Sequence, residues 1–146
     1  MVLKFSRRDL IGKEFQLEER EDKDTAITEL WLLEDGSVKI GATDGPLLKN
    51  FKGSWTVKED FKGNAIGDNA FQMSLVRTYE AGEHTGKNQV GSFPYYVERR
   101  YLGDIDTTGE FVSVSGTIHG NDEGKKVDCE VGYFALIDEA AEEATI

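Results

Sequence analysis

Cysteine, proline and histidine are nearly missing from this chain of 146 residues: one Cys, two Pro and two His. A single thiol, Cys129, excludes an intrachain disulfide and supplies too little sulfur for a structural zinc site, so it reads as a small buried group on a strand. Two histidines, His84 and His119, without a metal-ligand spacing fall short of a zinc constellation, and no metal or cofactor is expected. Basic charge is also in deficit, with 17 Lys and Arg against 28 Asp and Glu and a formal net charge of -11. Binding to nucleic acid or to an anionic membrane surface would work against that charge, which argues against both partners. No stretch approaches the roughly 20 apolar residues of a membrane helix, and the first residues lack the apolar core of a secretory signal. A soluble chain is the expectation.

What remains is a globular balance, 38% hydrophobic, 31% charged and 10% aromatic. At this length one domain is expected, burying roughly 70% of the surface of its unfolded chain. Residues 6–11 predict a short helical lead-in capped by Ser6 with Asp9 three positions on, and Gly12 ends it. Phe15 and Leu17 then alternate with acids, and the charged run 19–24 predicts a solvated loop. Residues 26–33 and 37–43 flank Asp35-Gly36, a type I′ hairpin signal. Phe51, Gly53, Trp55 and Val57 alternate with polar residues, and a loop over 60–69 tucks Phe61 and Ile66 against the body.

Two long strands follow, 70–80 and 93–102, joined by a glycine-containing connection, after which 103–110 predicts a turn. Val112, Val114, Gly116 and Ile118 share one strand face, and Val127 to Ile137 alternate along a last strand before an acidic tail at 138–146. About eight short strands and no long helix predict an all-β protein, an antiparallel β-barrel with a short N-terminal helix; a two-sheet β-sandwich is the alternative. An eight-stranded barrel either fills with side chains or holds one small ligand.

The candidate site is a pair of triplets, Arg77-Thr78-Tyr79 and Arg99-Arg100-Tyr101. Residues two apart on a strand share a face, so Arg77 lies with Phe71, Met73, Leu75 and Tyr79, and Arg99 with Phe93, Tyr95, Val97 and Tyr101. A guanidinium in an apolar row requires a partner. It either binds the carboxylate of a ligand, with Tyr79 or Tyr101 adding a hydroxyl, or pairs with an acid of this chain such as Glu98 or Asp104 at a barrel mouth. Trp31 and Trp55 read as core or barrel-end plugs, with Trp55 also a candidate for lining a ligand site. Glu98 is expected on a wet face. Asp104 and Asp106 lack the glycine and glutamate positions of a calcium loop, and Ser113, Ser115, Thr117 and His119 form no nucleophile elbow.

Arg-x-Tyr on a late strand resembles the carboxylate-binding element of intracellular fatty-acid-binding proteins, and Gly53-Ser54-Trp55 resembles the Gly-x-Trp element of lipocalins. The resemblance covers these two motifs and implies a calycin-like barrel enclosing a small lipophile. It departs in order, since Gly-x-Trp belongs on the first lipocalin strand and here stands on about the fourth. Three further segments, 97–101, 114–118 and 131–138, look similar to uncharacterised proteins of algae with complex plastids, which implies a plastid accessory protein attached to a larger photosynthetic assembly after removal of a targeting peptide. The functional expectation is a noncatalytic binding barrel, either an accessory subunit of a protein complex or a carrier of a small lipophilic or carboxylate ligand; a small calycin-like enzyme is the third reading.

Overall fold

A computed structural model describes residues 5–45, 48–79, 95–108, 110–120 and 129–144. Within them the chain forms eight strands: β1 (Glu14–Glu21), β2 (Asp24–Leu32), β3 (Val38–Thr43), β4 (Asn50–Val57), β5 (Phe71–Tyr79), β6 (Tyr95–Thr108), β7 (Phe111–Gly120) and β8 (Cys129–Asp138). A 3₁₀ turn over Arg7–Asp9 precedes them and a six-residue helix, α1 (Glu139–Ala144), follows. All pairings are antiparallel, in the order β3-β2-β1-β8-β7-β6-β5-β4. The sheet is thus an up-and-down meander in which β1 and β8 join the chain's two ends. Its remaining seam, between β3 and β4, is stitched at one end by the Ser37–Ser54 bridge and the bond from Trp55 N–H to Gly36 C=O. The expected barrel is therefore present and nearly closed.

Alternation along each strand separates interior from exterior. Phe15 and Leu17 of β1, Leu30 and Leu32 of β2, Phe71, Met73 and Leu75 of β5, Tyr101 of β6, Val114 and Ile118 of β7, and Phe134 and Leu136 of β8 all turn inward and are buried. Four rings run through this interior as a continuous column. Tyr101 meets Phe134 edge-on at 5.2 Å between centroids, Phe134 lies 6.2 Å from Phe71, and Phe71 lies 6.4 Å from Trp55. Such contacts add to the burial of large apolar surface, and they occupy the space a ligand deep in the barrel would need.

The two ends of the barrel differ. At the end holding the β2–β3 hairpin, the N-terminal turn acts as a plug: Leu10 is fully buried and the Arg7 guanidinium lies 4.6 Å over the Trp55 ring. The Trp55 indole N–H donates to Leu33 C=O at 2.9 Å. The Asp9 carboxylate accepts from the Ser6 N–H at 2.7 Å, so the predicted capping relation holds, and Gly12 at φ +79° redirects the chain. At the opposite end lie the tip of the β1–β2 hairpin, the end of β3 and the Arg77 and Arg99 side chains.

Several local expectations are corrected. The run 19–24 is not a solvated loop, because β1 continues to Glu21 and carries Glu19 into the interior at 7% exposure. The β2–β3 turn is not type I′: Gly36 alone takes positive φ, +90°, with Gly36 N–H bonded to Leu33 C=O and Leu33 N–H to Ser37 C=O, the pattern of a type I turn closed by a glycine bulge. β6 runs through the predicted turn at 103–108, since its ladder with β7 extends to Thr108↔Phe111. Along β8 it is Gly132, Phe134, Leu136 and Asp138 that are buried, leaving Tyr133 at 63% exposure, and Cys129 is exposed and not buried. Phe61, at 93%, and Ile66 do not tuck against the body. Trp31 faces outward beneath Lys39, which lies 5.1 Å over its ring, so it is not a core plug. A register shift between β2 and β3 turns Ala42 out and Thr43 in, where its hydroxyl meets that of Thr28 at 2.9 Å. The expected connection over 81–92, with His84, and all but the first residue of the polar stretch 120–126 lie outside the described residues.

Candidate functional site

β5 and β6 pair with Arg77 opposite Val97 and Leu75 opposite Arg99, which sets the two guanidinium groups one step apart on the inner wall. Across the barrel, β1 carries Glu19 and Glu21 on its inward row after Phe15 and Leu17. The result is two cross-barrel ion pairs. Arg77 grips Glu19 with both terminal nitrogens, Nη2 to Oε1 at 2.7 Å and Nη1 to Oε2 at 3.2 Å. Arg99 holds Glu21 through Nε, 3.2 Å from each carboxylate oxygen, and through Nη2 at 3.1 Å. The arginines are thus paired within the chain at the barrel mouth, with Glu19 and Glu21 in place of Glu98, which is exposed, and Asp104, which accepts from the Asn69 N–H.

Tyr101 completes the inner pair. Its hydroxyl donates to Glu19 Oε2 in a very short bond and accepts from Arg77 Nη1 at 3.3 Å. Burial first, and then the Glu19 charge, push the Tyr101 hydroxyl pKa well above its ordinary value of 10.0, so it remains a donor. Burial opposes the Arg77 charge, but Tyr101 and Glu19 raise its pKa above the ordinary arginine range and keep it cationic. The phenol ring is also the top of the aromatic column. The Glu19–Arg77–Tyr101 cluster therefore floors the mouth directly on the packed core.

Above this floor the barrel opens into a cup of about 490 Å³. Its charged lining is Glu19, Glu21, Asp24, Asp44, Arg77 and Arg99, and Ala26, Tyr79 and Val97 supply apolar wall. A recess of about 60 Å³ adjoins it, walled by Thr28, Ile40, Thr43 and Leu48 together with Glu19, Arg77 and Tyr79. A smaller groove of about 310 Å³ crosses the outer face of β4, β5 and β6 over Ser54, Thr56, Ser74 and Arg100.

Of the predicted residues, the structure gathers Arg77, Tyr79, Arg99 and Tyr101 at the mouth, three of them on the cup wall and Tyr101 in its floor. Trp55 lies at the plugged end, away from the cup. His119 turns to the outer face, its Nε2 2.8 Å from Thr117 Oγ1. Glu19 and Glu21 were missed, and so were the rim acids Asp24 and Asp44. The signal for Glu19 was present: the alternation that puts Phe15 and Leu17 inside continues in phase through Glu19. Among the described residues no group of three or more His, Cys, Asp and Glu is placed to hold a metal, and no helix is long and apolar enough to cross a membrane. Comparison with known protein families, curated proteins and solved structures finds no match.

Proposed function

We propose that this chain is a noncatalytic binding barrel that holds a small molecule in the cup at its mouth. The observation carrying this reading is the cup itself, about 490 Å³ above a sealed floor, a volume within the range of roughly 300–1,000 Å³ typical of small-molecule sites. Below that floor the aromatic column leaves the interior filled. The chemistry of the lining favours binding over catalysis. Glu19 accepts from three donors on Arg77 and Tyr101, and Glu21 is held by Arg99, so both carboxylates are taken up in pairs within the chain.

A docking subunit, the alternative, calls for a contiguous apolar patch of several hundred Å². Among the described residues, the exposed large hydrophobic ones, Ile27, Phe61, Ile66, Tyr96 and Tyr133, stand instead on β2, on the β4–β5 connection, on β6 and on β8. Their scatter supports the small-molecule reading. Native mass spectrometry of the protein taken from its source tests it. A retained molecule of small mass at one per chain is the expected result. A bare monomer, or a complex with another protein and no small molecule, contradicts it.

A further inference from the structure

The binding reading leaves open which chemistry the cup selects, and the pairing of its charges narrows that choice. Both arginines have their forks engaged: Arg77 is bidentate on Glu19, and Arg99 approaches Glu21 through Nε and Nη2. An incoming carboxylate or phosphate could recruit Arg77 only by displacing Glu19, whose side chain is 7% exposed and would be left as a buried, unpaired charge. The two remaining charged groups on the lining, Asp24 and Asp44, are carboxylates on exposed residues of β2 and of the chain just after β3. Among the described residues of the lining, four acids against two arginines leave the cup net negative, in a chain whose overall charge is -11. Such a cavity concentrates cations and repels anions. Ala26, Tyr79 and Val97 add apolar and aromatic wall for the body of a ligand.

We infer that the ligand of the cup is a small amphiphilic cation, an organic amine whose ammonium faces Asp24 and Asp44 and whose apolar body lies against Tyr79, Ala26 and Val97. This inference rests on the cup being the binding site. It inverts the carboxylate expectation drawn from the Arg-x-Tyr triplets.

Three probes of one shape and different charge separate the possibilities: tryptamine, 3-methylindole and indole-3-acetate. Each is titrated into the full chain at pH 7 and low salt, with calorimetry for affinity and amide chemical shifts for location. The expected result is shifts at the cup for all three, with tryptamine bound roughly tenfold more tightly than the neutral probe and indole-3-acetate weakest. In the Asp24→Asn, Asp44→Asn double variant the tryptamine advantage falls to within about twofold, and added salt shrinks it in the native chain. Cup binding with equal affinities, or with indole-3-acetate tightest, overturns the charge class and leaves the binding reading standing. Shifts outside the cup, or no binding by any probe, overturn the binding reading and this inference with it. Both substituted residues are exposed; Asp44 Oδ1 accepts from the Ile27 N–H at 2.7 Å, a bond the amide oxygen of Asn also accepts, and the amide spectrum of the double variant is the control that folding is unchanged.

Discussion

At the scale of single residues, the Glu19–Arg77–Tyr101 cluster decides whether the mouth has a floor. Glu19 and Arg77 are 7% and 12% exposed at their side chains, so removing one partner strands a charge away from water. Arg77→Met is expected to cost about 3–5 kcal/mol in urea denaturation, while Glu19→Leu, Arg77→Met and Tyr101→Phe together recover most of that loss, since three apolar groups leave no buried charge or hydroxyl without its partner. Arg99→Met costs less, roughly 1 kcal/mol, because the Glu21 it leaves behind is 29% exposed at its side chain and is reached by water. Tyr101 gives a pH signature. Its folded-state pKa lies above the unfolded value of 10.0, so its contribution is fully present below pH 10 and is lost as pH rises from there towards the folded pKa. Urea midpoints are expected to hold between pH 8 and 9.5 and then to fall more steeply in the native chain than in Tyr101→Phe, by at most about 1.4 kcal/mol per pH unit. Equal slopes in the two proteins would remove Tyr101 from the account. Sequence reasoning found the arginines because each interrupts an apolar row. It lost Glu19 because six charged neighbours made the segment look solvated, although the two-residue period ran through it unbroken.

At the scale of elements, period-two alternation located all eight strands, and errors gathered where backbone conformation or register outweighs side-chain pattern. The β2–β3 hairpin was legible from Asp35-Gly36, but the turn used only the glycine's left-handed conformation, with Asp35 accepting from the Ser37 N–H at 2.9 Å and from the Ser37 hydroxyl. The inward row of β8 was not legible, because Val131, Tyr133, Ala135 and Ile137 are as apolar as Phe134 and Leu136; the choice falls to pairing with β1 and β7, which is nonlocal. Gly116 shows how close that pairing is. A methyl group there would stand 1.9 Å from the Leu102 carbonyl oxygen and 2.5 Å from Gly103 Cα, both backbone atoms of β6. Gly116→Ala is expected to separate β6 from β7 locally and to destabilise by more than about 3 kcal/mol, with loss of protection at Leu102–Asp104 amides in hydrogen exchange. The seam makes the converse prediction. Amides of β3 and of the first half of β4 are expected to exchange faster than those of β6 and β7, because the β3–β4 edge has one bridge where β6 and β7 have a continuous ladder.

At the scale of the whole molecule, the meander and its all-β class were legible because strand number and spacing leave few closed solutions. Which end is open was not legible. It follows from the plug formed by Leu10, Arg7 and Trp55 at one end and from the ion-pair floor at the other, and both depend on contacts between residues far apart in the chain. Trp55, a candidate for the ligand site by its Gly-x-Trp setting, belongs to the plug. The protein is therefore expected to bind at one end only. Amide chemical-shift mapping of the uniformly labelled chain, with the small-molecule extract of its source added, measures this most directly. The predicted result is shifts concentrated at Ala26, Gly45, Tyr79 and Val97 around the cup, with Trp55 and Leu10 unmoved. Shifts centred instead on Ser54, Thr56 and Ser74 in the groove across the outer face of β4 to β6, or around Trp55 at the plugged end, would contradict it.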